Sequence, residues 1–207
     1  MIDCLLTTDD LNPYDFSLFS YFDKLKKEFP QLKVLAFFTP YWKRGELMMP
    51  VFSNMIIATD LIPKKFIDFL LERRDWLLLG SHGLFHIRPE YSLDIHFQEY
   101  AFAVSRLIRN YLCEMGIQFQ PACKPPFYKF NEIGFELPKH FGFDQMYIQD
   151  GIIDFSENKF IPRAEINLID SHVSSGCPMP DRIDKFYPKL RLILKGKIKD
   201  QKEFHYG

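Results

Sequence analysis

The stretch Trp76–His86 reads WLLLGSHGLFH. Its first half is a short, uninterrupted apolar run, the composition of a strand buried on both faces of a parallel sheet. Its second half carries two imidazoles four residues apart. If the run is a parallel strand, His82 and His86 lie past its C-terminal end, where ligands gather in parallel α/β folds. The pattern recurs upstream. Ile2–Thr7 is a second apolar run, and it leads into two adjacent carboxylates, Asp9 and Asp10, within LLTTDDLNP (Leu5–Pro13). Leu32–Thr39 (LKVLAFFT) is a third, stopped by Pro40. Between these runs the apolar period becomes helical, over Tyr14–Phe29 and again over Pro63–Arg74, which opens on Pro and closes on two Arg.

Downstream, Ser92–Met115 predicts a long helix whose apolar stripe is Tyr100, Val104, Leu107, Ile108, Tyr111 and Met115, ended by Gly116. A short strand around Ala122–Lys124 and a helix near Glu132–His140 follow. Strands at Asp144–Gln149 and Glu165–Ser171 and a last apolar segment at Leu190–Leu194 complete the chain. This alternation predicts an α/β fold with a parallel sheet and helices outside it. At 207 residues the chain falls short of the roughly 250 that a full eightfold barrel takes. We therefore expect an irregular or incomplete (β/α) barrel, one domain over 1–207 with its motifs within 2–173 and a C-terminal extension at 174–207.

Composition excludes several classes of function. Apolar residues make up 47% and charged residues 26%, which is globular rather than disordered. The formal charge is −1, and apart from the Lys-rich tail Lys195–Lys202 no basic block exists to track a phosphate backbone, so nucleic acid is not an expected partner. Cys4, Cys113, Cys123 and Cys177 form no CxxC pair and no leader pattern is present, which predicts reduced thiols and a cytoplasmic address. No apolar stretch approaches the roughly 20 residues that span a bilayer.

The chemistry-bearing residues sit at strand ends. His82 and His86 suit zinc or a similar divalent ion, and on one turn of helix they would share a face. Gly83 stands where a zinc-protease helix needs Glu, which excludes that reading. Two imidazoles and one carboxylate make a facial triad with open positions. One carboxylate of the Asp9–Asp10 pair can bind the ion while the other acts as base, and the ion's charge relieves their mutual repulsion. Lys124 opens KPPFY and supplies a cation for the base carboxylate, while the two prolines stiffen a loop able to aim a backbone N–H at an oxyanion. His172, in LIDSH, follows a late strand and is placed to protonate a leaving amine. The structural alternatives are a plain turn at TTDD, ordinary loop histidines, a surface lysine and a sheet-capping His172. His96, His140 and His205 read as structural.

In order and spacing, TTDD, SHGLFH, KPPFY and the late strand with His172 resemble the first, second, third and last motifs of the polysaccharide deacetylases (carbohydrate esterase family 4), over roughly residues 2–173. The resemblance implies Asp9 as catalytic base, Asp10, His82 and His86 as ligands of one divalent metal ion, expected to be zinc, and His172 as general acid. It places Lys124 where the family usually has Arg, and a backbone N–H near Phe127 against the oxyanion. TTDD replaces TFDD, Lys124 lacks the guanidinium fork, and Asp170 stands where the family has Leu two residues before its His. For the family's remaining acidic motif the candidates are Asp150 and Asp154. The implied activity is hydrolysis of an N-acyl group, N-acetyl first, from an amino sugar carried on a small molecule or lipid-linked glycan in surface polysaccharide or glycan biosynthesis. The alternatives are removal of a formyl group, or a degenerate module that binds a sugar or a glycosyltransferase without catalysis.

Overall fold

The computed structural model describes residues 5–43, 46–47, 62–86, 90–166, 168–173 and 181–196. Strand β1 (Leu5–Leu11) leads through a 3₁₀ turn at Ser17–Phe19 to helix α1 (Ser20–Glu28), then to β2 (Val34–Phe38) and a small ribbon of β3 (Trp42–Lys43) and β4 (Glu46–Leu47). Helix α2 (Lys64–Leu71), β5 (Leu77–Ser81), α3 (Ile95–Glu114), β6 (Phe119–Cys123), α4 (Glu132–His140) and β7 (Gln145–Ile148) continue the alternation. The chain closes with β8 (Gly151–Asp154), β9 (Lys159–Pro162), β10 (Leu168–Ile169) and α5 (Ile183–Leu194).

Eight strands form one sheet in the order β10-β1-β2-β5-β6-β7-β8-β9. The six strands from β10 to β7 are parallel, and β8 and β9 are added antiparallel. The sheet curls into a half-barrel, the expected incomplete (β/α) barrel. All five residues of β2 are buried because both faces of the sheet are covered. Leu35 and Phe37 point inward onto Ala122, Tyr147 and Ile152, with Ile161 and Leu168 at the margin. Val34, Ala36 and Phe38 point outward into the layer of helices. That outer layer absorbs much of the chain's phenylalanine: Phe38 stacks on Phe66 at 5.4 Å, and Phe19 meets Phe69 edge to face at 5.2 Å.

Several elements differ from their sequence expectation. Strand β1 does not stop at Thr7 but runs through the acidic pair to Leu11, with a register shift between Thr8 and Leu11. Residues 2–4 of the expected strand lie outside the described residues. Helix α3 buries Gln98, Ala101, Phe102, Ser105, Ile108 and Leu112, whereas Leu107 is 61% exposed and Tyr100, Val104, Tyr111 and Met115 flank the contact. Small residues at Ala101 and Ser105 let the helix approach the sheet, a requirement that a stripe chosen for bulk does not register. The expected strand Glu165–Ser171 shrinks to Leu168–Ile169 behind a 3₁₀ turn at Arg163–Glu165, with Asn167 outside the described residues. The β8–β9 hairpin was not expected. Its turn is made by Asp154, whose carboxylate accepts the backbone N–H groups of Ser156 and Glu157. The Leu190–Leu194 segment is the end of α5, a helix whose period is obscured by Pro188.

Cys113 and Cys123 are free thiols; Cys4, Cys177 and the Lys-rich tail beyond residue 196 lie outside the described residues. Among the described residues no helix is long and apolar enough to cross a membrane.

Helix α4 is held by Asn131, whose side chain accepts the Gly134 N–H, and its first turn rests on the backbone of Tyr91. A Cβ at Gly134 would lie 2.0 Å from the Tyr91 carbonyl oxygen and 3.0 Å from Gln98 Oε1. Gly134→Ala is therefore expected to cost about 1–3 kcal/mol of stability, read as a fall in the urea midpoint. An unchanged midpoint would show that α4 does not depend on this contact.

Candidate active site

The site forms at the C-terminal ends of the parallel strands. In β1 the register shift coincides with Asp10 at φ 65, a left-handed conformation that Asp tolerates. It turns the carboxylate toward the residues that follow β5. Asp10 Oδ1 lies 3.0 Å from His86 Nε2 and 3.6 Å from His82 Nε2, and the candidate ligand atoms of all three residues fall within 4.8 Å of one another. Asp10 Oδ1 is nonetheless buried without a hydrogen-bond partner among the described residues. Three converging ligand atoms, drawn from two imidazoles and a carboxylate, fit a divalent cation of the zinc type.

His82 is oriented by a hydrogen bond from behind and His86 by the loop that carries it. His82 Nδ1 is 2.8 Å from the carbonyl oxygen of Lys124, which can only accept, so Nδ1 carries a hydrogen and Nε2 faces Asp10. His86 arrives through a loop, not a turn of helix: Gly83 has φ 75 and His86 φ 56. That loop is pinned by Glu90, buried to 1% exposure, whose carboxylate accepts the N–H of Leu84 and, at 3.2 Å, that of Phe85. Only glycine fits at position 83, because a Cβ there would meet Glu90 Oε2 at 2.6 Å. Burial alone would raise the Asp10 pKa, but the His82 and His86 imidazoles outweigh it and hold the carboxyl well below the usual carboxylate range.

Asp9 points the other way. Its Oδ2 is 2.8 Å from Lys124 Nζ and 3.7 Å from His172 Nε2, and its Oδ1 is buried with no hydrogen-bond partner among the described residues. Lys124 is only 2% exposed, so it is no surface lysine. Its Nζ also meets Asp170 Oδ1 at 3.2 Å and lies over the rings of Tyr128 and Phe37 at 5.1 and 5.4 Å. Asp170 in turn accepts the Thr7 hydroxyl and pairs with Arg163 Nη1 at 2.8 Å. Burial disfavours the ammonium, yet the carboxylates of Asp170 and Asp9 outweigh it and hold Lys124 well above the usual lysine range.

His172 is bridged by its backbone to Asp9 on one side and Arg182 on the other. Its Nδ1 is 3.0 Å from Asp181 Oδ1, which leaves Nε2 facing Asp9. Burial would lower its pKa, but the Asp181 hydrogen bond and the charges of Asp9 and Asp10 raise it to about 9. Phe127 is 47% exposed, with its ring 4.9 Å from that of His86; it and Tyr128 both take positive φ, 57 and 55. The structure thus brings Asp9, Asp10, His82, His86, Lys124, Phe127 and His172 to one mouth. Asp150 and Asp154 do not join them, since Asp154 caps its own turn and Asp150 is exposed at the β7–β8 turn.

Four residues of the site escaped the sequence reading of roles. Asp170 had been visible only as a departure from Leu, and a carboxylate inside the apolar LIDSH was the available signal. Arg163, Glu90 and Asp181 carry no local signature, because their partners are brought to them by topology.

No family model matches the chain, and no curated protein matches it. Solved structures do. The Bc1960 peptidoglycan N-acetylglucosamine deacetylase aligns with a TM-score of 0.60 and 16% identity over 94% of this chain and 82% of that one. A family 4 carbohydrate esterase from Streptomyces lividans, in complex with acetate, aligns at 0.57 and 12% over 95% of this chain and 91% of that one. A family 4 pseudoenzyme from Bacillus anthracis aligns at 0.55 and 10% over 94% of this chain, and a mutant of it with restored enzymatic activity aligns at 0.57 and 12%. The chain spans 61–62% of the length of those two. At this identity the likeness establishes the fold, that of the polysaccharide deacetylases, as the four motifs led us to expect.

The position of His172 has a consequence in the metal-free protein. Its pKa in the fold, about 9, lies above the ordinary 6.5, so the fold favours the protonated ring. The associated stability is fully present below pH 6.5 and is lost as pH rises through 9, an effect of up to about 3 kcal/mol. The urea midpoint of chelator-treated protein is expected to fall between pH 6.5 and 9, and His172→Gln to flatten that fall. Identical profiles for the two proteins would contradict the His172–Asp181 and His172–Asp9 contacts.

Proposed function

We propose that the chain is a metal-dependent hydrolase that removes an N-acyl group, N-acetyl first, from an amino sugar. The observation that carries this reading is the buried Asp10–His82–His86 cluster with the Asp9–Lys124 pair on one flank and the Asp181–His172 pair on the other. Asp10, His82 and His86 would hold a divalent cation, zinc by the chemistry of the donor set, which would supply Lewis acidity and acidify water.

The protein's own groups do the rest. Asp9, facing the Lys124 ammonium, accepts a proton from the water that attacks the carbonyl carbon. The backbone at Phe127, in the turn Pro126–Tyr128, donates to the carbonyl oxygen as negative charge develops there. His172 keeps its Nδ1–H on Asp181 and gives its Nε2 proton to the nitrogen as the C–N bond breaks, releasing the free amine and the carboxylic acid. The 3.7 Å gap between His172 Nε2 and Asp9 Oδ2 is short enough for the proton gained by Asp9 to return, through water, to His172. The exposed Phe127 ring at the mouth offers a face to the sugar.

A second reading has an observation in its favour. Lys124 and Asp170 replace the family's Arg and Leu, and one of the similar structures is a pseudoenzyme. On this reading the chain binds an acylated sugar or a partner without turnover.

Zinc-loaded protein assayed for amine release from N-acetylglucosamine oligomers, a nucleotide-linked N-acetylglucosamine and the corresponding N-formyl sugars separates the readings. Release from any of them is expected; binding of all without release would leave the non-catalytic module. By calorimetric titration Asp10→Asn should lose zinc affinity, whereas Asp9→Asn should keep it and lose about 10² or more in rate. His172→Ala should slow amide substrates roughly 10²–10⁴-fold and spare an activated ester, whose leaving group needs no proton. Equal losses on amide and ester would end the acid role for His172.

A further inference from the structure

Two departures from the family pattern, Lys124 for Arg and Asp170 for Leu, lie 46 positions apart in sequence and touch in space, with Nζ 3.2 Å from Oδ1. We infer that they are one coupled exchange, in which Asp170, anchored by Arg163 and Thr7, is a positioning residue that acts through Lys124 to hold Asp9 in place.

The difference between the two cations explains why the exchange has to be double. A guanidinium grips a carboxylate with two parallel N–H bonds and fixes its plane unaided. An ammonium is a point charge on a four-carbon stem with three rotatable donors, and one carboxylate does not fix its direction. Here the second carboxylate does so from the far side. Lys124 Nζ is held between Asp9 Oδ2 at 2.8 Å and Asp170 Oδ1 at 3.2 Å, with the rings of Tyr128 and Phe37 closing the remaining sides. Leucine at position 170 would leave the ammonium one partner short in a fully buried place. Arginine at position 124 would drive a larger head into the space that Asp170 occupies.

Charge and topology support the same conclusion. Asp9, Lys124, Asp170 and Arg163 form a row of two anions and two cations, three of them almost wholly buried, so loss of any single member leaves the row with a net charge. Arg163 follows β9 and Asp170 follows β10, the two strands at opposite ends of the sheet order. No pairing between β9 and β10 occurs among the described residues, and the Arg163–Asp170 bond joins these edges. The position of Asp9 is thereby tied to closure of the barrel seam. Asp170 itself is not a catalytic residue, because its carboxylate is consumed by Thr7, Lys124 and Arg163.

The kinetic part rests on the function proposed above; the pairing itself does not, and two readouts without turnover test it. The Lys124 Nζ resonance in a ¹⁵N spectrum, visible only while its N–H groups are held against exchange, should be present in the wild type and lost in Asp170→Asn and in Arg163→Gln. In urea unfolding of metal-free protein, Lys124→Arg and Asp170→Leu should each lower the midpoint, and the double variant should fall by less than the sum. On an amide substrate, Asp170→Asn should lower kcat about 10–10²-fold with KM and zinc stoichiometry nearly unchanged, and Lys124→Arg/Asp170→Leu should recover at least half of the loss on a logarithmic scale. A persistent Nζ resonance in folded Asp170→Asn, or strictly additive midpoints, would overturn the coupling. Should Asp170→Asn not fold, the partly exposed Arg163→Gln carries the same decision. A wild type without turnover would refute the proposed function, while the resonance and the cycle would still decide the pairing.

Discussion

The Lys124 ammonium, sealed between two carboxylates, is the interaction on which the rest of the site depends. Burying any one of these charges alone would be prohibitive, and removing one partner of such a pair typically costs about 3–5 kcal/mol because the other is left uncompensated. The residue acts through its backbone as well. Its N–H donates to Ser81 at the end of β5, and its carbonyl oxygen fixes the tautomer of His82. Its side chain reaches Asp9 in β1 and Asp170 after β10. One position at the end of β6 thus ties three other strand ends together, and it links the ionic environment of Asp9 to the orientation of a candidate metal ligand.

The irregular backbone is concentrated where these groups meet. Five non-glycine residues take positive φ among the described residues, and four of them, Asp10, His86, Phe127 and Tyr128, line the mouth. Such conformations are held against a cost of order 1–3 kcal/mol each only where the surroundings enforce them. The enforcing contacts can be named. The bulge in β1 is locked by the pairing of Asp9 with Ser171 and Val173, the HGLFH loop by Glu90, and the Pro126–Tyr128 turn by the cation under Tyr128. A regular sheet supplies the frame, and the irregularities aim the side chains.

This division explains what was legible in the sequence. Runs such as LKVLAFFT and WLLLG announce buried parallel strands because both faces must be apolar, and their bounds shift by only a residue or two in the fold. The helix expected near Glu132–His140 has those bounds in the fold, where Asn131 caps it. The positions of Asp9, Asp10, His82, His86, Lys124 and His172 at one mouth followed from strand-end logic. What the sequence hid depends on long-range geometry. Leu107 looked like core and is exposed, because the buried face of α3 runs through Ala101, Phe102, Ser105, Ile108 and Leu112, one position away from the stripe read from bulk alone. The four-residue spacing in HGLFH would put both rings on one face of a helical turn, yet a left-handed Gly83 and His86 bring them together in a loop instead. Asp181 comes from the segment read as an extension, and only the fold shows it behind His172.

The same fold is found in deacetylases and in a pseudoenzyme, so the scaffold alone does not decide activity. The decision falls on whether the groups around the cluster hold their ionisation states together. In this chain the neighbouring groups sustain one another. The imidazoles that keep Asp10 ionised are themselves held by the Lys124 carbonyl and by the Glu90-pinned loop. His172 retains its proton to about pH 9 because Asp181 and the acidic pair face it. A cation bound at Asp10 would offset part of that acidic field and bring His172 toward neutrality, the direction that makes an imidazolium a better proton donor. Under the proposed function such coupling would make the cation a determinant of the acid as well as of the water, because Asp9 and Asp10, adjacent in one bulged strand, face the two halves of the site.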